Sequence, residues 1–173
     1  IIVGTRGHGQ KQGDLIGGVT RKIINKSKYP VLAIPEKSVY DGISNINIMY
    51  ITDFDDSDFE AIKKLMRLVN PFNVRLNCVH ISSTDTNEID QVKMNLLKEH
   101  IKKDFSKQQF DCSIIEKEDE LEGIQEFVEE KGIDIISLVT RKRNIIAKLF
   151  SPSIAKRLLF HTNVPLLVFH AND

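Results

Sequence analysis

The sequence has little of several things, and each shortage removes a class of function. Its 173 residues include two cysteines and no tryptophan, and the 24 basic and 24 acidic residues cancel to a formal net charge of zero. A balanced charge gives no broad positive field to draw the chain to nucleic acid. No apolar run reaches the length of a membrane span and nothing has the form of a secretory leader, so no membrane association is expected and the cytoplasm is the expected compartment. Cys78 and Cys112 both sit in strand-like runs, VRLNCVHI and FDCSII, and read as buried free thiols that come close if those strands are neighbours. The five histidines are scattered, with no metal-ligand spacing to a cysteine or carboxylate. No Ser-His-Asp or Cys-His arrangement is present, and no Gly-Lys-Ser or Gly-Lys-Thr closes a glycine run as a Walker loop requires.

What is present is a long-range repeat. Residues 1–35 read IIVGTRGHGQKQGDLIGGVTRKIINKSKYPVLAIP, and residues 136–170 read ISLVTRKRNIIAKLFSPSIAKRLLFHTNVPLLVFH. The two align without a gap at an offset of 135, so that Thr5-Arg6 meets Thr140-Arg141 and Pro30-Val31-Leu32 meets Pro165-Leu166-Leu167. Each runs apolar strand, polar loop, amphipathic helix, Pro-led strand. A period of this size indicates tandem domains, since solenoid units are far shorter. The expected organisation is therefore a C-terminal remnant of a first domain over 1–36, a linker over 37–45 and a complete second domain over 46–173, with truncation inside the first.

Between the repeats, strand and helix signals alternate. Ile46–Thr52 is an apolar, β-branched strand, and Asp53, Asp55, Asp56 and Asp58 then read as a capping cluster rather than a magnesium site. A helix follows with Phe59, Ile62, Met66 and Val69 on one stripe, ending before Pro71. Val74–Ile81 is the next strand. A polar helix from Thr86 to Lys107 carries a weak stripe of Ile89, Val92, Leu96, Ile101 and Phe105. Further strands are expected at 110–116, 133–140 and 165–169, and helices at Leu121–Val128, capped by Gly132, and at Ser153–His161. Strict alternation with apolar strands predicts an α/β fold whose parallel five-stranded sheet carries helices on both faces, with the β-α-β remnant beside it. Ligands of such sheets lie beyond the C-terminal ends of the strands.

The first repeat has chemistry that the second lacks. Gly4, Gly7, Gly17 and Gly18 flank a loop between a strand end and a helix start, where unpaired amides and the helix dipole favour phosphate. A plain flexible turn is the alternative reading. At the matching positions the second repeat has Val139, Lys142, Pro152 and Ser153, and a proline offers no N–H. Arg141, Lys142, Arg143 and Lys148 form a basic loop there, read first as a solvated charge run and second as a weak anion site. His8 reads as an exposed loop histidine.

A strand, then G-x2-G-x9-G, then a helix and P-V-L-x-I resembles the C-terminal signature of the universal stress protein family. The strand ends Thr52-Asp53-Phe54 and Val79-His80-Ile81 resemble the same family's N-terminal half. Together they cover nearly the whole chain, as a tandem member truncated within its first domain. The resemblance implies strand order 3-2-1-4-5 in the complete domain and a stress-response module that binds nucleotide without catalysis, at most a weak ATPase. It implies ATP, with magnesium, held by Val3, Gly4, Gly7, Gly17, Gly18 and Val19 of the first repeat. Asp53 and Ile81 take the family's nucleoside and base positions in the second, whose phosphate positions fit poorly. Gly18 departs from the family's usual Ser or Thr. The resemblance also implies homo-oligomers joined through fifth strands, here Val31–Ile34 and Leu166–Phe169. The competing expectation is an interaction scaffold that binds no nucleotide.

Overall fold

A computed structural model of the chain describes residues 1–5, 17–39, 45–82, 88–105, 108–140 and 163–170. In chain order the elements are β1 (Ile2–Gly4), α1 (Gly18–Lys26), β2 (Val31–Ile34), β3 (Ile46–Ile51), α2 (Asp56–Val69), β4 (Val74–Ser82), α3 (Glu88–Asp104), β5 (Gln109–Glu116), α4 (Glu120–Lys131), β6 (Ile135–Thr140) and β7 (Leu166–His170). The expected helix at Ser153–His161, the basic loop, Gly7 and His8 lie outside the described residues.

The seven strands among the described residues form one sheet, in the order β1-β2-β7-β6-β3-β4-β5. This corrects the expectation of a five-stranded sheet with a separate β-α-β unit beside it. Neighbours are parallel except β2 and β7, which pair antiparallel with Val31 opposite Val168, Leu32 opposite Leu167 and Ala33 opposite Leu166. The physical reason lies in the edges. Val31, Ala33, Leu167 and Val168 are all buried, and strand edges that apolar cannot be left open to water. The two strands expected to join separate copies thus join each other within one chain.

Registers within the β1–β2 and β6–β7 pairs correspond. Ile2, Val3 and Gly4 stand opposite Leu32, Ala33 and Ile34, and the residues 135 positions on, Ser137, Leu138 and Val139, stand opposite Leu167, Val168 and Phe169. The antiparallel pair is centred on Leu32 and Leu167, positions that the same offset relates.

Helices cover both faces. On one, Ile24 of α1 and Ile124, Phe127 and Val128 of α4 pack on Met49, Ile51, Val79, Leu138 and Val168. On the other, Ile62, Leu65 and Met66 of α2 and Met94, Leu97 and Ile101 of α3 pack on Ile48, Tyr50, Leu76 and Phe169. Because β3 is central, Ile48, Met49, Tyr50 and Ile51 are buried on both sides, which is why it reads as an unbroken apolar run. Val3, Ile23, Ile24, Val31 and Ala33 share the first of these cores, and His170 Nε2 donates to the Ile24 carbonyl to fasten α1 to β7.

Local chemistry sets the helix ends. Asp55 caps α2 in a reciprocal capping box with Asp58. Asp119 caps α4 through the amides of Leu121 and Glu122, and Gly132 ends that helix at φ 57°, a left-handed conformation that favours glycine. On α3 the buried stripe is Met94, Leu97 and Ile101, while Ile89, Val92 and Leu96 of the expected stripe are more than half exposed. Among the described residues no helix is long and apolar enough to cross a membrane.

Candidate functional site

The end of β1 and the start of α1 are tied together by backbone chemistry. Thr5 N–H donates to the Ile34 carbonyl at 3.0 Å, and Gly17 N–H donates back to the Thr5 carbonyl at 2.9 Å. Buried Thr20 completes the link, its Oγ1 donating to the Gly4 carbonyl at 2.8 Å. The first helical turn closes with Arg21 N–H on the Gly17 carbonyl at 3.0 Å.

Gly17, the N-cap, supplies no side-chain acceptor, and the first turn of α1 contains no acid. The leading amides of Gly18 and Val19 therefore keep the unpaired-donor character and partial positive charge of a helix start. A Cβ placed on Gly18 would meet nothing within 4 Å, so the space over this turn is open. Val19 is 72% exposed, and Val3 is half-buried against the α1–α4 core. An anion of phosphate size fits the chemistry of this end of α1.

A second construction lies beyond β3 and β4. Buried Asp58 accepts from Tyr50 Oη at 3.0 Å, Thr52 Oγ1 at 2.9 Å, and the amides of Asp53 at 3.0 Å and Asp55 at 3.1 Å. The acidic cluster is thus a turn built around one carboxylate. No group of three or more metal-ligating side chains occurs among the described residues.

That turn holds Phe54 at φ 60°, a conformation that costs a non-glycine residue roughly 1–2 kcal/mol. The Phe54 ring lies 4.4 Å from the His80 ring and the Lys93 ammonium 5.8 Å from its centroid. His80 Nδ1–H donates to the Thr52 carbonyl at 2.8 Å, which locks the imidazole over the strand end. Asp53 is exposed at the tip, and Ile81 is half-buried against the same core layer as Ile51 and Val79.

These two constructions do not meet. β2 and β7 are antiparallel, so the C-terminal end of β1 and that of β3 point to opposite ends of the sheet. Four strand intervals, about 19 Å at the usual spacing, also separate them laterally. Val3, Gly4, Gly17, Gly18 and Val19 form one group, and Asp53 and Ile81 form another. Reading the sequence passed over the fastening role of Thr5 and Thr20 and the tilted contact of the Phe54 and His80 rings. The Thr20 bond had a signal in the threonine that follows the glycine pair. Nothing in the sequence announces a left-handed phenylalanine. Val139, at the position matching Gly4, is buried and carries its side chain into the second core.

Residues 45–170 match the family model described as the universal stress protein family. No curated protein matches the chain. Among solved structures, a universal stress protein from Archaeoglobus fulgidus DSM 4304 superposes with a TM-score of 0.72 at 19% identity, over 99% of this chain and 60% of that one. A protein of Pseudomonas aeruginosa PAO1 gives 0.59 at 13% identity, over 98% of this chain and 62% of that one. A universal stress protein in complex with cAMP gives 0.58 at 12% identity, over 75% of this chain and the whole of that one. The chain therefore spans about three fifths of the length of the Archaeoglobus protein.

Proposed function

This chain belongs to the universal stress protein family, and on that premise we propose that it is a non-enzymatic nucleotide-binding module whose phosphate cradle lies at the start of α1. The observation that carries the reading is the uncapped, glycine-led first turn of α1, held to the end of β1 by the Thr20–Gly4 bond. Phosphates of ATP, with magnesium as their counterion, would take the amides of Gly18 and Val19, while Gly4 and Gly17 keep side chains out of the approach. A fold neighbour in complex with cAMP supports an adenosine phosphate as the ligand class.

In this reading residues 1–36 are the last third of a first domain and 46–173 a second domain, arranged as a tandem pair in which β2 and β7 make the join. The matching strand registers and the centring on Leu32 and Leu167 support duplication. The nucleoside half belonging to the α1 cradle is not among residues 1–36. Asp53 and Ile81 would serve the second domain's own nucleoside position, where Val139 disfavours phosphate. Exchange of the β2–β7 pairing between two copies would give a homo-oligomer with the same backbone bonds.

Calorimetric titration with Mg-ATP and with cAMP tests this, on the present chain and on a longer protein carrying upstream residues. Binding in the longer protein that Gly17→Val abolishes is the expected result. Absence of heat in both proteins would leave the second reading, an interaction scaffold. That reading draws on the buried Val139 side chain and on the extent to which the paired strands serve joining alone.

A further inference from the structure

Cys78 and Cys112 stand directly opposite each other on the neighbouring parallel strands β4 and β5. Opposed residues on adjacent strands share a face, and both thiols belong to the core layer beneath α2 and α3. The strand spacing of about 4.8 Å puts their Cα atoms inside the disulfide window of roughly 4.4–6.8 Å. Both are free thiols. Their exposures differ, because Cys78 is fully buried whereas Cys112 is half-buried near the outer edge of the sheet.

We propose that this pair is an oxidisable dithiol, a modification site at which Cys112 takes oxygen from a hydroperoxide and Cys78 resolves the product to an intramolecular disulfide. The hydrogen bond from Cys78, and then the positive charge of Lys98, hold the Cys112 thiol below its ordinary pKa, so the accessible sulfur is also the better populated thiolate. Cys78 is held well above its ordinary value by the same hydrogen bond and by burial, and remains the proton carrier.

In the first step the Cys112 thiolate attacks one peroxide oxygen. The O–O bond breaks, hydroxide or alkoxide leaves, the sulfur is oxidised to sulfenic acid and the peroxide is reduced. In the second, the Cys78 sulfur attacks the Cys112 sulfur and the S–O bond breaks. The departing hydroxide takes the Cys78 proton and leaves as water.

Peptide mapping by mass spectrometry, after a pulse of hydrogen peroxide on the reduced full chain, tests the assignment. The expected product joins the peptides of Cys78 and Cys112 within one chain and is undone by dithiothreitol. In Cys78→Ser, oxidation stops at Cys112 as a sulfenic acid that a 1,3-diketone traps. In Cys112→Ser, loss of the Cys78 thiol slows by at least about tenfold. Should either variant misfold by circular dichroism, a short pulse with the trap on the unsubstituted chain gives the same readout, since the first adduct must fall on Cys112. A first adduct on Cys78, a disulfide only between chains, or two thiols still alkylatable when added free cysteine is fully oxidised would each overturn it.

Discussion

Leu32 and Leu167 face each other across the antiparallel pair of β2 and β7, and each is the residue the other becomes under the 135-residue offset between the chain's two ends. Val31 opposite Val168 and Ala33 opposite Leu166 complete a set that the same offset exchanges. A local two-fold relation of this kind gives the β1–β2 and β6–β7 pairs one register. It also sends the C-terminal ends of β1 and β3 to opposite ends of the sheet.

The join is apolar and buried, so it is expected to stabilise the whole domain. Leu167 is 5% exposed, and Leu167→Ala removes buried methyls at a cost of about 2–5 kcal/mol. Urea denaturation should show that loss. Val31→Asp, which puts an unpaired carboxylate into a fully buried position of β2, should release β1–α1–β2 from the sheet. Limited proteolysis should then cut between residues 36 and 46. Resistance equal to that of the unsubstituted chain would mean that β2 does not depend on β7.

The phosphate cradle makes opposite predictions for two nearby positions. At Gly18 there is room for a side chain, so Gly18→Ser adds a hydroxyl at the helix start. One hydrogen bond of about 1 kcal/mol corresponds to roughly fivefold tighter nucleotide binding in the longer protein. Thr20→Val removes the bond from Oγ1 to the Gly4 carbonyl and leaves that acceptor unpaired. Binding should weaken by a similar factor, with about 1 kcal/mol of stability lost as well. Identical affinities for the two variants in calorimetry would place the ligand elsewhere.

Much of this architecture was legible in local chemistry. The β3 run, the α2 stripe and the Gly132 cap are each set by neighbours a few residues away, and pattern finds them. The turn after β3 was legible only as a cluster of acids, because which carboxylate sits at its centre is decided by Tyr50 and Thr52 from the strand. The α3 stripe was misread over its first half, Ile101 and Phe105 having been placed correctly, for a related reason. Ile89, Val92 and Leu96 have helical spacing as good as that of Met94, Leu97 and Ile101, and only the sheet beneath decides which stripe is covered. The join of β2 to β7 shows the same limit at longer range. Apolar edges were visible, but whether they meet within one chain or between two depends on how the linker is routed, which composition does not encode.

The turn around Asp58 yields a stability prediction that separates it from its acidic neighbours. Asp58→Ala leaves two hydroxyls and two amides without their acceptor, and a loss of about 3–5 kcal/mol is expected. Asp56→Ala, at an exposed position, should change stability by no more than about 0.5 kcal/mol. Asp58→Asn keeps an acceptor oxygen and should fall between. Equal effects at 56 and 58 in urea titrations would show that the cluster acts through summed charge and not through one buried carboxylate.

Thiol reactivity should depend on pH with opposite displacement at the two cysteines. A hydrogen bond donated to Cys112 and the Lys98 charge both favour its anion, so thiolate forms there below the ordinary range. Alkylation of Cys112 by iodoacetamide should therefore persist to lower pH than alkylation of an unperturbed free thiol. For Cys78, the hydrogen bond, burial and the adjoining Cys112 charge all oppose ionisation, so its alkylation should remain slow until pH rises well above the range of an unperturbed free thiol. Lys98→Ala takes away one of the two favourable influences on Cys112 and should move its profile toward higher pH without bringing Cys78 into range. If both sulfurs followed one curve centred on the free-thiol value, the strand pairing would have no hold on their chemistry, and the difference between an attacking and a resolving sulfur would disappear.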